Sequence, residues 1–155
     1  MSKNDNGATA GTSITITRTF DAPIDRVWRA WSVPDELTQW SAPAGWTYEI
    51  FEWDFREGGV HRYCMHGPDG EKSPGRTVYN EIVESERIVH LDSFTDEDGT
   101  PVGDEFVITV EFVERGEQTE LTLTHAGLPA EIGEEATEGW NEGLDKLAAH
   151  LEGSV

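Results

Sequence analysis

The chain predicts an α+β fold: a curved antiparallel sheet of about seven strands, two short helices after the first strand, and a long C-terminal helix lying across the sheet. Three observations predict it. Residues from Ile132 to Leu151 place Ile132, Ala136, Trp140, Leu144, Leu147 and Leu151 at steps of three and four, one apolar stripe on a helix of five or six turns. Most of the preceding chain alternates apolar and polar residues at period two, broken by Gly-, Pro- and Asp-rich turns. Nothing marks an internal repeat or a second domain, so residues 13–155 read as one domain behind a polar, disordered tail at residues 1–12.

Taken in order, Ser13 to Phe20 alternates Ile14 and Ile16 against threonines and is the first strand. Asp21-Ala22-Pro23 ends it and opens a helix whose apolar face is Ile24, Val27, Trp28 and Trp31. Pro34 breaks that helix, and Asp35 opens a second one carrying Leu37 and Trp40, with a loop from Ser41 to Gly45. From Trp46 the period becomes two, which puts Phe51, Trp53 and Phe55 on one face. Arg56-Glu57-Gly58-Gly59 turns the chain, and Val60 to His66 returns with His61, Tyr63 and Met65 on one side and Arg62, Cys64 and His66 on the other. Gly67-Pro68-Asp69-Gly70 is a hairpin turn. Arg76 to Val83, Arg87 to Phe94, Glu105 to Val113 and Gln118 to His125 are the remaining strands, with an acidic loop from Thr95 to Asp104.

The final helix carries acid early (Glu134, Glu135, Glu138) and Lys146 late, as the helix dipole favours. Gly139 and Gly143 interrupt it, each costing about 1 kcal/mol against alanine. Such glycines imply close backbone approach or space kept free beneath the helix.

Composition narrows the function classes. The chain has 155 residues, enough to bury roughly 70% of its unfolded surface. Its 31 acids against 11 bases give a net charge of −20, with lysine only at positions 3, 72 and 146. That field repels nucleic acid and anionic membranes. Scarce lysine with abundant acid is also the pattern of a protein kept hydrated in a salty cytoplasm. No apolar run is long enough to span a bilayer, and the N-terminus lacks a signal-peptide pattern. A single cysteine, Cys64, excludes an internal disulfide, and a cytoplasmic protein is expected.

These residues resemble the START-like (SRPBCC, helix-grip) superfamily, and within it the family of the activator of the ninety-kilodalton heat-shock chaperone's ATPase, C-terminal-domain-like. The resemblance rests on Phe20-Asp21-Ala22-Pro23-Ile24 with Val27-Trp28, and on Trp40. It continues through Asp54-Phe55-Arg56-Glu57-Gly58-Gly59, Gly67-Pro68-Asp69-Gly70, Glu81-Ile82, Glu86-Arg87-Ile88-Val89 and Gly139-Trp140 ahead of Leu144-Asp145-Lys146-Leu147. It implies a cavity under the long helix; superfamily members bind lipids, sterols, polyketides or hormones there, some act as cyclases, and some partner chaperones. The eukaryotic co-chaperone carries a further N-terminal domain where this sequence has a short polar tail, so direct activation of that ATPase is not expected.

The first expectation is therefore a non-enzymatic protein that binds a small hydrophobic or amphipathic molecule. Trp140, Gly143 and Leu144 would form the roof, with Trp40, Phe51, Trp53, His61, Tyr63 and Met65 below. A co-chaperone-like interaction domain and a cyclase- or hydrolase-like enzyme are the alternatives. No cofactor is expected and no catalytic group is assigned. His61, His66, His90 and His125 fall on different strands or faces, and Glu81 and Asp92 read as outward-facing charges. His61 points away from Cys64 and His66, which argues against a metal site. The acidic loop has Pro101 where a calcium loop begun at Asp96 needs glycine. His150 is expected to sit against the helix dipole.

Overall fold

The computed structural model describes residues 12–42, 45–128 and 133–152. Strand β1 (Thr12–Phe20) leads into helices α1 (Ile24–Ser32) and α2 (Pro34–Leu37). Strands β2 (Thr47–Glu52), β3 (Val60–His66), β4 (Lys72–Val83), β5 (Arg87–Thr95), β6 (Pro101–Arg115) and β7 (Gln118–Leu128) follow, and α3 (Gly133–Glu152) closes the chain. The strands form one seven-stranded antiparallel sheet in the order β1-β7-β6-β5-β4-β3-β2. This is the α+β helix-grip architecture the patterning predicts. The tail expected over residues 1–12 lies, Thr12 apart, outside the described residues, as does Ile132.

The boundaries shift where local chemistry outruns period counting. Helix α2 ends at Leu37, so Trp40 falls beyond it, where its indole Nε1 donates to the Ala30 carbonyl at 2.9 Å. The acidic loop is shorter than expected because β6 begins at Pro101. It closes on Asp96, whose carboxylate accepts from the Asp98 and Thr100 amides at 2.9 and 3.0 Å. The largest departure is at Phe51. A bulge between Ile50 and Glu52 breaks the register of β2 with β3, and Phe51 is 56% exposed. Tyr48 and Ile50 are partly buried in its place, while Trp53 and Phe55 lie past the strand and pack on the core.

One inner row of the sheet is wholly apolar: Ile82, Ile88, Val110, Leu123 and Ile16 are successive cross-strand partners. The C-terminal half of α3 belongs to the same core, with Leu144, Leu147 and Leu151 buried. From α1, Val27, Trp28 and Trp31 join them, Trp28 meeting Phe112 edge-on at 5.3 Å. Gly143 sits in this packed half: a side-chain carbon there would stand 3.6 Å from the Trp40 carbonyl, in ordinary contact. Gly139 faces open space. Neither position is held to glycine by a close approach: alanine would fit in ordinary contact at Gly143 and would meet free volume at Gly139.

Glu36 ties the three helices together. Its Oε1 pairs with Arg26 of α1 at 2.5 Å and His150 of α3 at 3.1 Å, and Oε2 meets Arg29 at 3.3 Å. From the last turn of α3, a position that suits the helix dipole, His150 also reaches a carboxylate of α2. Burial alone would raise the Glu36 pKa, yet the His150 and Arg26 hydrogen bonds hold it below the ordinary value. A lowered carboxylate pKa stabilises the fold above the unfolded-state pKa and ceases to do so as pH falls through the folded value. Glu36→Gln is expected to cost about 1–2 kcal/mol at pH 7. In urea melts, its difference from wild type should shrink as pH drops below about 4.5.

Candidate functional site

Between the N-terminal half of α3 and the sheet lies a cavity of about 350 Å³. Its floor follows from alternation along four strands. Ile88 and Leu123 point into the core, so His90 and Asp92 two and four residues on, and His125 two residues on, point the same way. Cross-strand pairing then aligns Tyr79, His90, Ile108 and His125 in one row, and His61, Thr77, Asp92 and Phe106 in the next. Ala136, Gly139 and Trp140 of α3 form the roof; Trp31, Trp40, Tyr48, Phe55, Tyr63 and Met65 close the sides. Phe94, 50% exposed, also lines it.

Of the residues expected at the site, the structure brings Trp40, His61, Tyr63, Met65 and Trp140 to this cavity. Trp53 is one layer behind, stacked on Phe55 at 5.9 Å and edge-on to His61 at 4.8 Å. Gly143 and Leu144 lie deeper in the packed core, and Phe51 faces outward because of the bulge. Tyr48, Thr77, Tyr79, His90, Asp92 and His125 were not expected there. Strand parity carried from Ile88 and Leu123 is the signal that finds the last three. Glu81, by contrast, does face out and pairs with Arg87 through two 3.0 Å hydrogen bonds.

Tyr63 needs a glycine opposite. A side-chain carbon on Gly75, its cross-strand partner in β4, would lie 2.4 Å from the phenol oxygen. The ring lies over β4 there and stacks on Tyr48 at 4.9 Å.

The polar groups divide into a satisfied set and an unsatisfied one. Asp92 accepts from Thr77 Oγ1 at 2.8 Å and pairs with His90 Nδ1 at 2.7 Å. Burial pushes the Asp92 carboxyl up, but His90 and Thr77 bring it below its ordinary value, so it is ionised at neutral pH. His61 sits between two phenols, Tyr48 at 3.1 Å and Tyr79 at 3.5 Å, and burial drives its pKa down to about 4. Burial also raises the pKa of all three tyrosines, which remain neutral. Trp140 Nε1 donates to His125 Nδ1 at 2.9 Å. His125, likewise lowered by burial, is neutral, so its proton is on Nε2. That Nε2 is buried with no partner among the described residues, as is Trp31 Nε1. Each unpaired buried donor costs about 1–3 kcal/mol.

Chemically this is a largely apolar chamber with one carboxylate, neutral phenols, the neutral rings of His61 and His125, and the His90 ring held on Asp92. His90 held by Asp92 has the orientation of a general base. Among the described residues, however, no serine or cysteine side chain is hydrogen-bonded to a histidine, so a nucleophile–base pair is not assembled. Cys64 is on the opposite face, and His66 pairs with Glu49 at 2.8 Å. No three His, Cys, Asp or Glu side chains among the described residues are grouped to hold a metal ion. Among those residues, no helix is long and apolar enough to cross a membrane.

A curved antiparallel sheet gripping a C-terminal helix over an internal cavity defines the START-like class. The chain belongs to the family described as activator of Hsp90 ATPase homolog 1-like protein, whose profile matches residues 21–152. Solved structures agree. A Chromobacterium violaceum protein is 30% identical with a TM-score of 0.82, covering 90% of this chain and 96% of that one. An Arthrobacter aurescens protein is 29% identical with a TM-score of 0.84, covering 92% and 87%. One from Mycobacterium smegmatis is 29% identical with a TM-score of 0.78, covering 88% of each. No curated protein matches the chain.

Buried neutral His61 makes a testable contribution to stability. Its folded pKa is below the unfolded value of 6.5, so the unfolded chain binds the extra proton between about pH 6.5 and pH 4. Stability should therefore fall across that window, above the range where most carboxylates titrate, with His61 contributing on the order of 3 kcal/mol by pH 4. Denaturant melts at half-unit pH steps should show His61→Asn with a visibly flatter slope there; an unchanged slope would mean that His61 is hydrated.

Proposed function

We propose that this protein binds a small hydrophobic or amphipathic molecule in the chamber between α3 and the sheet. The supporting observation is the change of character along α3: buried leucines fill the core from Leu144 onward, whereas Ala136, Gly139 and Trp140 border open volume. A cavity of about 350 Å³ with mostly aromatic walls and a few fixed polar atoms is within the range of small-molecule sites. Membership of a START-like family supports the same reading. Trp40, His61, Tyr63, Met65 and Trp140, with Tyr48, His90 and His125, are the contact residues it implies.

The test is an amide-resolved NMR titration against lipids, sterols and aromatic polyketides. Binding should move the resonances of Tyr63, His90, Asp92 and Trp140. Ala136→Phe, which places a ring in the chamber from the roof, should abolish those shifts. A silent panel, or equal shifts in the filled variant, would remove the chamber from consideration.

A protein-interaction role is the second reading, and one feature favours it. Val60, Val78, Leu91 and Val107 are successive cross-strand partners on the outer face, opposite the cavity residues beside them in sequence, and Val107 is 40% exposed. Such an apolar row suits contact with a chaperone of the Hsp90 class. Leu91→Glu should weaken that contact, measured by calorimetry with the purified chaperone, without changing the ligand titration.

A further inference from the structure

One carboxylate in the chamber is only half engaged by the protein. Thr77 Oγ1 and His90 Nδ1 both meet the same oxygen of Asp92, Oδ1, at 2.8 and 2.7 Å. Oδ2 has no hydrogen-bond partner among the described residues, and the Asp92 side chain is 22% exposed where it lines the chamber. His125 Nε2 and Trp31 Nε1, by contrast, are sealed in packing. Asp92 Oδ2 is thus an acceptor open to whatever the chamber holds.

The wall supplies no cation to match it. None of the residues lining the chamber is lysine or arginine, and the rings of His61 and His125 are neutral. The Asp92 charge is felt across the site, adding to the raised pKa of Tyr48, Tyr63 and Tyr79 and opposing the effect of burial at both histidines. A second acceptor lies on the same side. The Tyr63 hydroxyl stands over Gly75, whose cross-strand partner Phe94 is two residues beyond Asp92 on β5, and it makes no hydrogen bond among the described residues. The aromatic faces of Tyr48, Tyr63, Phe94 and Trp140 border the same volume.

We propose that the chamber ligand is an arylalkylamine, whose ammonium donates to Asp92 Oδ2 and to the Tyr63 hydroxyl while its hydrocarbon part packs on the aromatic wall. This rests on the ligand-binding reading above and names the charged group that reading leaves open. An ammonium has the charge, the N–H donors and the affinity for aromatic faces that this wall calls for. A hydrocarbon of the same shape fits the walls but leaves the carboxylate unmatched, and an anion is repelled by it. An alcohol matches the acceptor without matching the charge. A site with a buried polar group discriminates most strongly against analogues that leave that group unpaired.

Four probes of nearly one shape test this: 2-(2-naphthyl)ethylamine, 2-(2-naphthyl)ethanol, 2-propylnaphthalene and 3-(2-naphthyl)propanoate, titrated into the ¹³C,¹⁵N-labelled protein. The amine is expected to bind about tenfold more tightly than the alcohol or the hydrocarbon, and the propanoate more weakly than any of them. The amine should also move the side-chain carboxyl ¹³C resonance of Asp92. Asp92→Asn should bring the amine-to-hydrocarbon ratio near one while hydrocarbon binding persists, and Tyr63→Phe should lower that ratio by about threefold. If either variant fails to fold, the order of affinities and the Asp92 resonance in wild type decide the matter. Equal affinity for amine and hydrocarbon, with no Asp92 shift, would overturn the ammonium assignment while leaving a cavity binder. Amine binding that is undiminished in both Asp92→Asn and Ala136→Phe would overturn it by placing the amine on the acidic surface. Tightest binding by the propanoate would overturn it in favour of an anion site. Silence from all four and from the wider panel would overturn the cavity reading and this inference with it.

Discussion

The cross-strand register from β3 to β7 is the constraint on which the site depends. Two adjacent rows, Tyr79–His90–Ile108–His125 and His61–Thr77–Asp92–Phe106, carry the polar groups that face α3. Because successive residues point to opposite faces, a one-residue slip would move all of them to the outer surface and bring the Val78–Leu91–Val107 row inside. Bulges between Tyr79 and Glu81 and between Ser93 and Phe94 flank the rows. Beyond the first bulge the inward row is Ile82, Ile88, Val110 and Leu123, all hydrocarbon. The sheet is therefore zoned along its length: solid core under the leucines of α3, chamber under Ala136, Gly139 and Trp140.

That zoning makes the cost of burying polar groups tolerable. A carboxylate taken out of water is strongly destabilising unless it is paired and hydrogen-bonded. Asp92 has both, through His90 and Thr77, and stays ionised in spite of its burial. His61 and His125 have no carboxylate in contact and take the other solution, losing their protons. The outcome is a chamber with one carboxylate, hydrogen-bonded by Thr77 and His90, among neutral phenols and the neutral rings of His61 and His125, inside a protein whose net charge is strongly acidic. Surface charge and site charge are thus decoupled, and the −20 net charge speaks to solubility rather than to what the chamber holds.

How much of this was legible in the sequence depended on whether period two held without interruption. It held along Val60–His66, so the inward set His61, Tyr63 and Met65 follows from alternation alone. It failed at Phe51, because a bulge inserts a residue that no local propensity announces; the aromatic triplet Phe51, Trp53 and Phe55 therefore splits between solvent, a backing layer and the chamber wall. His90, Asp92 and His125 were within reach, since Ile88 and Leu123 set their face. A charged residue in a strand is usually exposed, however, and that general rule outweighed the specific parity. Gly143 shows a different limit. A glycine on the apolar side of a helix signals either close approach or empty space, yet the Trp40 carbonyl, 3.6 Å from a side-chain carbon built at Gly143, leaves room for alanine, so neither need explains that glycine. Helix α3 itself was readable because its stripe runs unbroken from Ala136 to Leu151.

The tryptophans show how much of a site's chemistry is decided by groups that compete for the same proton. Trp40, Trp31 and Trp140 all line the chamber, and composition treats them alike. Trp40 spends its N–H on the Ala30 carbonyl and contributes only an apolar surface. Trp140 gives its proton to His125 Nδ1, which fixes the tautomer of that ring and turns the far nitrogen into a donor. Trp31, packed edge-on between Trp40 and Phe112, has its N–H where no protein acceptor reaches it. One indole is thus hydrogen-bonded to its own scaffold, one relays donor character through a histidine, and one keeps it. The apolar lining alone would admit any molecule of suitable shape. The three indoles thus line one chamber without sharing one chemistry, because the acceptor that each finds or lacks, and not its composition, decides what it presents.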